Sequence, residues 1–175
     1  MSKRFPDRLD PWRFADLGKE VSGELPVEAF MRLRDCLMQA DGEVLFNLSF
    51  SRDEQRHARL DGIVRTELTL ECQRCLGALR FPVERRFSVV FVQGLNEAER
   101  LPDDLDPCLV EEGVVDFREL IEDELLLALP QVPMHDTDVC QVPHEFVSDE
   151  ELQVSEPEQQ ENPFAVLSAL KKDRH

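Results

Sequence analysis

Three runs of residues that change character at every second position occupy the stretch from 44 to 91 and restrict the fold more than any other feature of the chain. Val44, Phe46, Leu48 and Phe50 alternate with Leu45, Asn47 and Ser49. Val64, Leu68, Leu70 and Cys72 then alternate with Arg65, Glu67, Thr69 and Glu71, and Leu79, Phe81, Val83, Phe87, Val89 and Phe91 alternate with Arg80, Glu84, Arg86 and Ser88. A strand turns successive side chains to opposite faces, so this period of two predicts strands with one buried face. The connecting turns are short, and three such runs in sequence imply an antiparallel meander.

The flanks are read more coarsely. Residues 10–17 suit a short helix or a strand, residues 22–26 read as a turn, and Val27, Phe30, Leu33 and Leu37 have helical spacing with Pro26 at a permitted first-turn position. Cys36 falls inside that expected helix as a packing residue. Residues 93–107 read as a polar loop, and Cys108-Leu109-Val110 as a short strand with Cys108 in the core. Asp116, with Glu119 three residues on, makes a capping box before a helix through Phe117, Leu120, Ile121, Leu125 and Ala128 that stops at Leu129-Pro130. Its acids Glu119, Glu122, Asp123 and Glu124 read as a solvated face rather than as catalysts.

The expected fold class is α+β, an antiparallel meander or barrel-like sheet core with a few packed helices and an acidic flexible C-terminal tail. Residues 1–147 form the expected single β-rich domain and residues 148–162, rich in Glu, Gln and Pro, an acidic linker. Residues 163–175 read as an apolar docking segment, with Phe164, Val166, Leu167 and Leu170 seated on the chain's own core or on a partner.

The longest apolar run, Leu125 to Pro130, is far shorter than the roughly 20 residues of a membrane span. Residues 1–7 lack the apolar stretch of a signal peptide. Five cysteines without a dense framework suit reduced thiols in the cytoplasm. The net charge of −17 is unevenly placed: residues 1–100 carry 16 Lys and Arg against 17 acids, residues 101–175 only 4 against 20. Residues 51–90 are mildly basic, with eight arginines against six acids. A free nucleic-acid binder is usually basic, because counterion release from phosphates drives its affinity. DNA and membrane partners are therefore not expected. RNA contact would be confined to the arginine-bearing hairpin, with Arg74, Arg80 and Arg86 as its candidates, and the acidic remainder suits a basic protein.

Cys72-Gln73-Arg74-Cys75 sits on a Gly-ended turn between the second and third runs. Two thiolates separated by two residues converge on one zinc ion from such a turn, and the remaining ligands would come from His135, Cys140 or His144. A redox pair would open a helix, whereas Leu79 to Val83 alternates as a strand and contains Pro82. Haem attachment needs a histidine directly after Cys75, where Leu76 stands. Ordinary half-buried core thiols are the competing reading.

Several segments taken in order resemble the YceD family, whose bacterial members are called large ribosomal RNA subunit accumulation proteins. They are Leu68 to Cys75, Ile121 to Pro130, Val132 to Asp136 with Cys140, and Asn162 to Lys171. The resemblance implies a cytoplasmic role in producing or stabilising large-subunit ribosomal RNA, with no established enzymatic activity. Family members place several cysteines just after the equivalent of Leu129-Pro130; here that region offers His135 and Cys140. The implied site is one structural zinc on Cys72, Cys75, His135 and Cys140, with His135 preferred to His144.

Three functions compete. The first is a non-enzymatic factor for synthesis, processing or accumulation of large-subunit ribosomal RNA, with a ribosomal RNA precursor, a ribosomal protein or an RNA-processing enzyme as partner. The second is an acidic regulator that covers the RNA channel of a ribonuclease. The third, a zinc-dependent hydrolase, would need an open metal position and a nearby base, and the chain carries no His-Glu-x-x-His or similar cluster. Phe164, Leu167 and Leu170 are partner-contact candidates beside the three arginines.

Overall fold

The alternating runs become β3 (Glu43–Arg52), β4 (Ala58–Glu71) and β5 (Ala78–Val92), consecutive antiparallel hairpins in a computed structural model that describes residues 8–140. β2 (Glu20–Pro26) adds antiparallel to β3, and β6 (Pro107–Leu109) adds parallel to β5. The order is β2-β3-β4-β5-β6, with β2 and β6 at the edges among the described residues. A two-stranded ladder of β1 (Arg8–Leu9) and β7 (Val115–Asp116) leads into helix α4 (Phe117–Ala128). The shorter helices are α1 (Pro11–Asp16), α2 (Met31–Arg34) and α3 (Leu95–Ala98), the last lying inside the expected polar loop.

One face of the sheet is mostly apolar, with Thr66 and Arg85 as polar members of it by register. Val44, Phe46, Leu48 and Phe50 of β3 and Leu60, Val64 and Leu68 of β4 are buried there in one cluster with Phe117, Ile121 and Leu125 of α4. Phe50 sits at the centre, edge-on to Phe14 at 5.3 Å and to Phe117 at 5.2 Å. Such edge contacts set the positive ring edge against the negative face.

Two cross-strand pairs set glycine opposite phenylalanine, Gly23 with Phe46 and Gly62 with Phe87. In each pair the ring lies over the glycine, so an added Cβ would come within 2.8 Å of Phe46 Cζ or 2.2 Å of Phe87 Cζ. Glycine within a strand here marks close approach rather than a turn. This corrects the expected turn at residues 22–26, which pair with β3 residue by residue; Pro26 is tolerated at the last position of an edge strand.

The expected helix from Val27 to Leu37 is also replaced. A 3-10 turn at Val27–Ala29 is followed by extended Phe30 (φ −101°, ψ 95°) and then by the single-turn α2. Val27, Phe30 and Leu33 recur every three residues and all are fully buried, a spacing that tight turns serve and a continuous α-helix would spread around its circumference. Cys36 consequently lies outside a helix and is exposed, its thiol near the Arg32 carbonyl at 3.5 Å, and it is not a packing residue.

α4 begins where its capping residue requires: Asp116 accepts the N–H groups of Arg118 and Glu119. Its acids are not uniformly solvated, however. Glu122 and Glu124 are buried because each has a partner beyond the helix. Glu122 Oε1 accepts the Arg32 and Leu33 N–H groups at 2.7 and 3.1 Å, and Arg85 Nε donates to Glu124 at 3.0 Å. The first contact caps α2, whose N-cap residue Phe30 makes no side-chain capping hydrogen bond.

No described helix is long and apolar enough to cross a membrane. The expected linker at 148–162, the docking segment with Phe164, Val166, Leu167 and Leu170, and His144 all lie outside the described residues.

Candidate metal centre

The site is built on the tip of the β4–β5 hairpin. Cys72 N–H donates to the Gly77 carbonyl at 2.9 Å and Leu76 N–H to the Cys72 carbonyl at 2.8 Å, which folds the Cys-x-x-Cys segment into a tight knuckle. The bend forces Leu76 into the left-handed region at φ 58°. It is followed by Gly77, where an added Cβ would lie 3.4 Å from Cys75 Sγ. Cys72 continues the inward face of β4 and is fully buried, while Cys75 is half-buried.

The other half arrives after α4. That helix stops at extended Leu129 before Pro130, and the proline-punctuated path runs back to the knuckle, where Gln73 N–H donates to the Pro133 carbonyl at 2.9 Å. A turn in which the Asp136 carbonyl accepts the Val139 and Cys140 N–H groups, each at 3.1 Å, then returns Cys140. The ligand atoms of Cys72, Cys75, His135 and Cys140 all lie within 4.8 Å of one another.

Two of these separations are close to a tetrahedral edge. With Zn–S near 2.3 Å and Zn–N near 2.0–2.1 Å, tetrahedral ligands stand ~3.8 Å apart for two sulfurs and ~3.6 Å for sulfur and nitrogen. Cys72 Sγ and Cys140 Sγ are 3.9 Å apart, and Cys75 Sγ is 3.3 Å from His135 Nδ1. His135 Nε2 lies 3.0 Å from the Ala78 carbonyl. A proton on Nε2 satisfies that carbonyl and leaves the Nδ1 lone pair aimed at the sulfurs, the arrangement by which metal-bound imidazoles are oriented.

The electrostatics suit a cation. Burial pushes the Cys72 thiol up, but hydrogen bonds from the backbone N–H groups of His135, Cys75 and Arg74 and from the Cys75 side chain overcome it and bring Cys72 down to about 5. Cys75 moves the other way. The Gly77 N–H lowers it, but burial and the neighbouring sulfurs of Cys72 and Cys140 raise it above the ordinary thiol value. Several thiolates in so small a space resist one another, and a divalent ion at their centre removes that resistance. Arg74 closes one side, donating from Nε to Cys140 Sγ at 3.1 Å and from Nη2 to the His135 carbonyl at 2.8 Å.

Arg74 is thus part of the centre, while Arg80 and Arg86 stand apart from it on the outward face of the sheet. Arg80 meets Glu67 at 3.0 Å and Arg86 meets Glu84 at 3.3 Å. On the same face Arg65 meets Glu84 at 3.0 Å and Arg59 meets Asp61 at 2.9 Å. The local arginine excess is thereby spread over an alternating lattice of opposite charges. Pairing of outward charges cannot be read from composition, because it follows from strand register. Nor does any sequence signal announce the Ala78 and Pro133 carbonyls that steady His135 and the knuckle.

The sequence model of the family described as "Large ribosomal RNA subunit accumulation protein YceD" matches residues 60–171, a span that includes all four clustered ligands. A Haemophilus influenzae protein of the same description is 33% identical over 173 residues, covering 96% of this chain and 97% of that protein. No solved structure matches.

Proposed function

Because the chain belongs to the YceD family, named for accumulation of the large ribosomal RNA subunit, we propose that it is a non-enzymatic factor in ribosome biogenesis that works by holding a basic protein partner. The observation that carries this reading is the Cys3His composition of the candidate centre. A catalytic zinc keeps a position for water or substrate, whereas four protein ligands close the coordination sphere. Cys72, Cys75, His135 and Cys140 would hold a structural zinc, which would tie the hairpin tip to the segment after α4 and supply folding energy there.

The choice of a protein partner over direct RNA contact rests on charge. The outward arginines already have carboxylate partners, and the chain as a whole is strongly acidic. Phosphate binding would have to break those pairs, while a basic protein surface would meet an excess of carboxylates.

Affinity purification of the tagged, full-length protein under native conditions, with RNA and protein both identified, tests the proposal. Enrichment of large-subunit precursors together with a basic ribosomal protein is the expected result. Recovery of a ribonuclease alone would favour the regulator reading, and salt-sensitive binding of purified protein to naked RNA would refute the choice of partner. Elemental analysis of protein purified without chelator should find about one zinc per chain.

A further inference from the structure

β6 leaves one side of the sheet unpaired among the described residues. Its bonds to β5 run through the Asp106 carbonyl and the Val110 N–H, and in a parallel ladder alternate residues face the neighbour. The N–H and carbonyl of Leu109 therefore point away from β5, and the Leu109 side chain is half exposed. Beside that edge lies a groove of about 400 Å³, bounded by β7 and the first half of α4. Leu109 and Leu120 line it together with the carboxylates of Glu111, Asp116, Glu119 and Asp123. Burial pushes the Cys108 thiol up and Asp123 adds to the shift, so Cys108 remains a neutral part of the lining.

The charges of the groove are only partly answered within the protein. Asp116 caps α4 and Asp123 meets Arg32 at 2.7 Å. Arg8, the cation on the lining, reaches toward Glu112 at 3.7 Å. Glu111 and Glu119 pair with no cation among the described residues. An open strand edge beside apolar side chains and unanswered carboxylates has a definite complement: an extended segment that donates and accepts along Leu109 and alternates apolar with cationic residues.

We propose that this groove binds an extended basic segment of a protein partner by strand addition to β6. The apolar side chains of the segment would rest on Leu109 and Leu120 and its lysines or arginines beside Glu111 and Glu119. The inference deepens the proposed function, on which the ribosomal nature of the partner rests, by assigning the place of attachment.

The test uses the full chain and a fluorescent synthetic peptide of alternating lysine and valine, followed by anisotropy at low ionic strength. Binding should weaken roughly tenfold, a loss of about 1.4 kcal/mol, for the double variant Glu111→Lys, Glu119→Lys. The double variant Glu20→Lys, Glu24→Lys, an equal charge change on the opposite edge strand, should leave it unaltered. The same peptide N-methylated at alternate residues cannot complete the ladder and should bind as weakly to the unaltered protein. Equal loss with the Glu20→Lys, Glu24→Lys variant, or undiminished binding of the N-methylated peptide, would reduce the attraction to diffuse charge and overturn the site. Failure of the ribosomal reading has a separate signature: the double variant would lose peptide binding in vitro yet keep normal large-subunit ribosomal RNA levels in cells.

Discussion

Replacing Glu122 by alanine should be the most damaging single change on the polar side of α4. Its Oε1 accepts two backbone N–H groups at the start of α2, at 2.7 and 3.1 Å, and Leu33 is fully buried. Hydrogen bonds to a charged group contribute about 1.5–3 kcal/mol, and a buried donor left without a partner costs about 1–3 kcal/mol. The Arg32 ion pair adds little, since that guanidinium is 52% exposed and keeps Asp123 at 2.7 Å. The expected loss for Glu122→Ala is therefore about 2–4 kcal/mol. With a urea slope near 2 kcal/mol/M, this lowers the midpoint by about 1–2 M. Glu122→Gln keeps an oxygen for both N–H groups and should lose less than about 1 kcal/mol. Glu119→Ala, from an exposed position on the same helix, serves as the surface control. Urea unfolding of the three variants at fixed metal content decides the matter. A Glu122→Ala midpoint no lower than that of Glu122→Gln would show that the carboxylate does not cap α2, and the reasoning would fail.

Gly62→Ala should lower the melting temperature, by about 1–3 kcal/mol of overpacking, because its Cβ would lie 2.2 Å from Phe87 Cζ; Gly94→Ala, with nothing within 4 Å, is the neutral comparison. Asp53 carries an acid-side prediction. Burial pushes its carboxyl up, but the His57 side chain at 2.7 Å and the His57 N–H hold the net value below the ordinary one. Its contribution to stability is then complete above the unfolded-state value, about 3.9, and is lost as pH falls through the lower native value. Asp53→Asn should flatten the stability profile below about pH 4, as followed by urea midpoints against pH. Chelation should lower the melting temperature, with zinc alone restoring it; identical melting of chelated and zinc-loaded protein would argue against a structural ion. In metal-free protein the ultraviolet thiolate band should show Cys72 ionising near pH 5, a step absent from Cys72→Ser.

What the sequence determined by itself is what neighbouring residues encode. The three strands were legible because a period of two persists over many positions and commits one face to burial. The start of α4 was legible from Asp116, whose capping partners lie two and three residues away. The knuckle was legible as a turn carrying two thiols with His135, Cys140 or His144 as possible partners, although the preference for His135 over His144 came from family resemblance, since Cys75 and His135 are 60 residues apart. Tertiary structure decided whatever depends on distant partners. Gly23 belongs to a strand because the Phe46 ring fills the space above it, and Phe30 interrupts a helix because the core takes its ring. Glu122 is buried because two N–H groups from residues 32 and 33 need an acceptor, about ninety positions away in the chain. The parallel placement of β6, and with it an open edge beside a carboxylate-lined groove, is likewise a matter of how the chain returns. Local patterning fixes which face a side chain takes, but what meets it there is set by long-range packing, where one well-placed acceptor outweighs the preference of a glutamate for water.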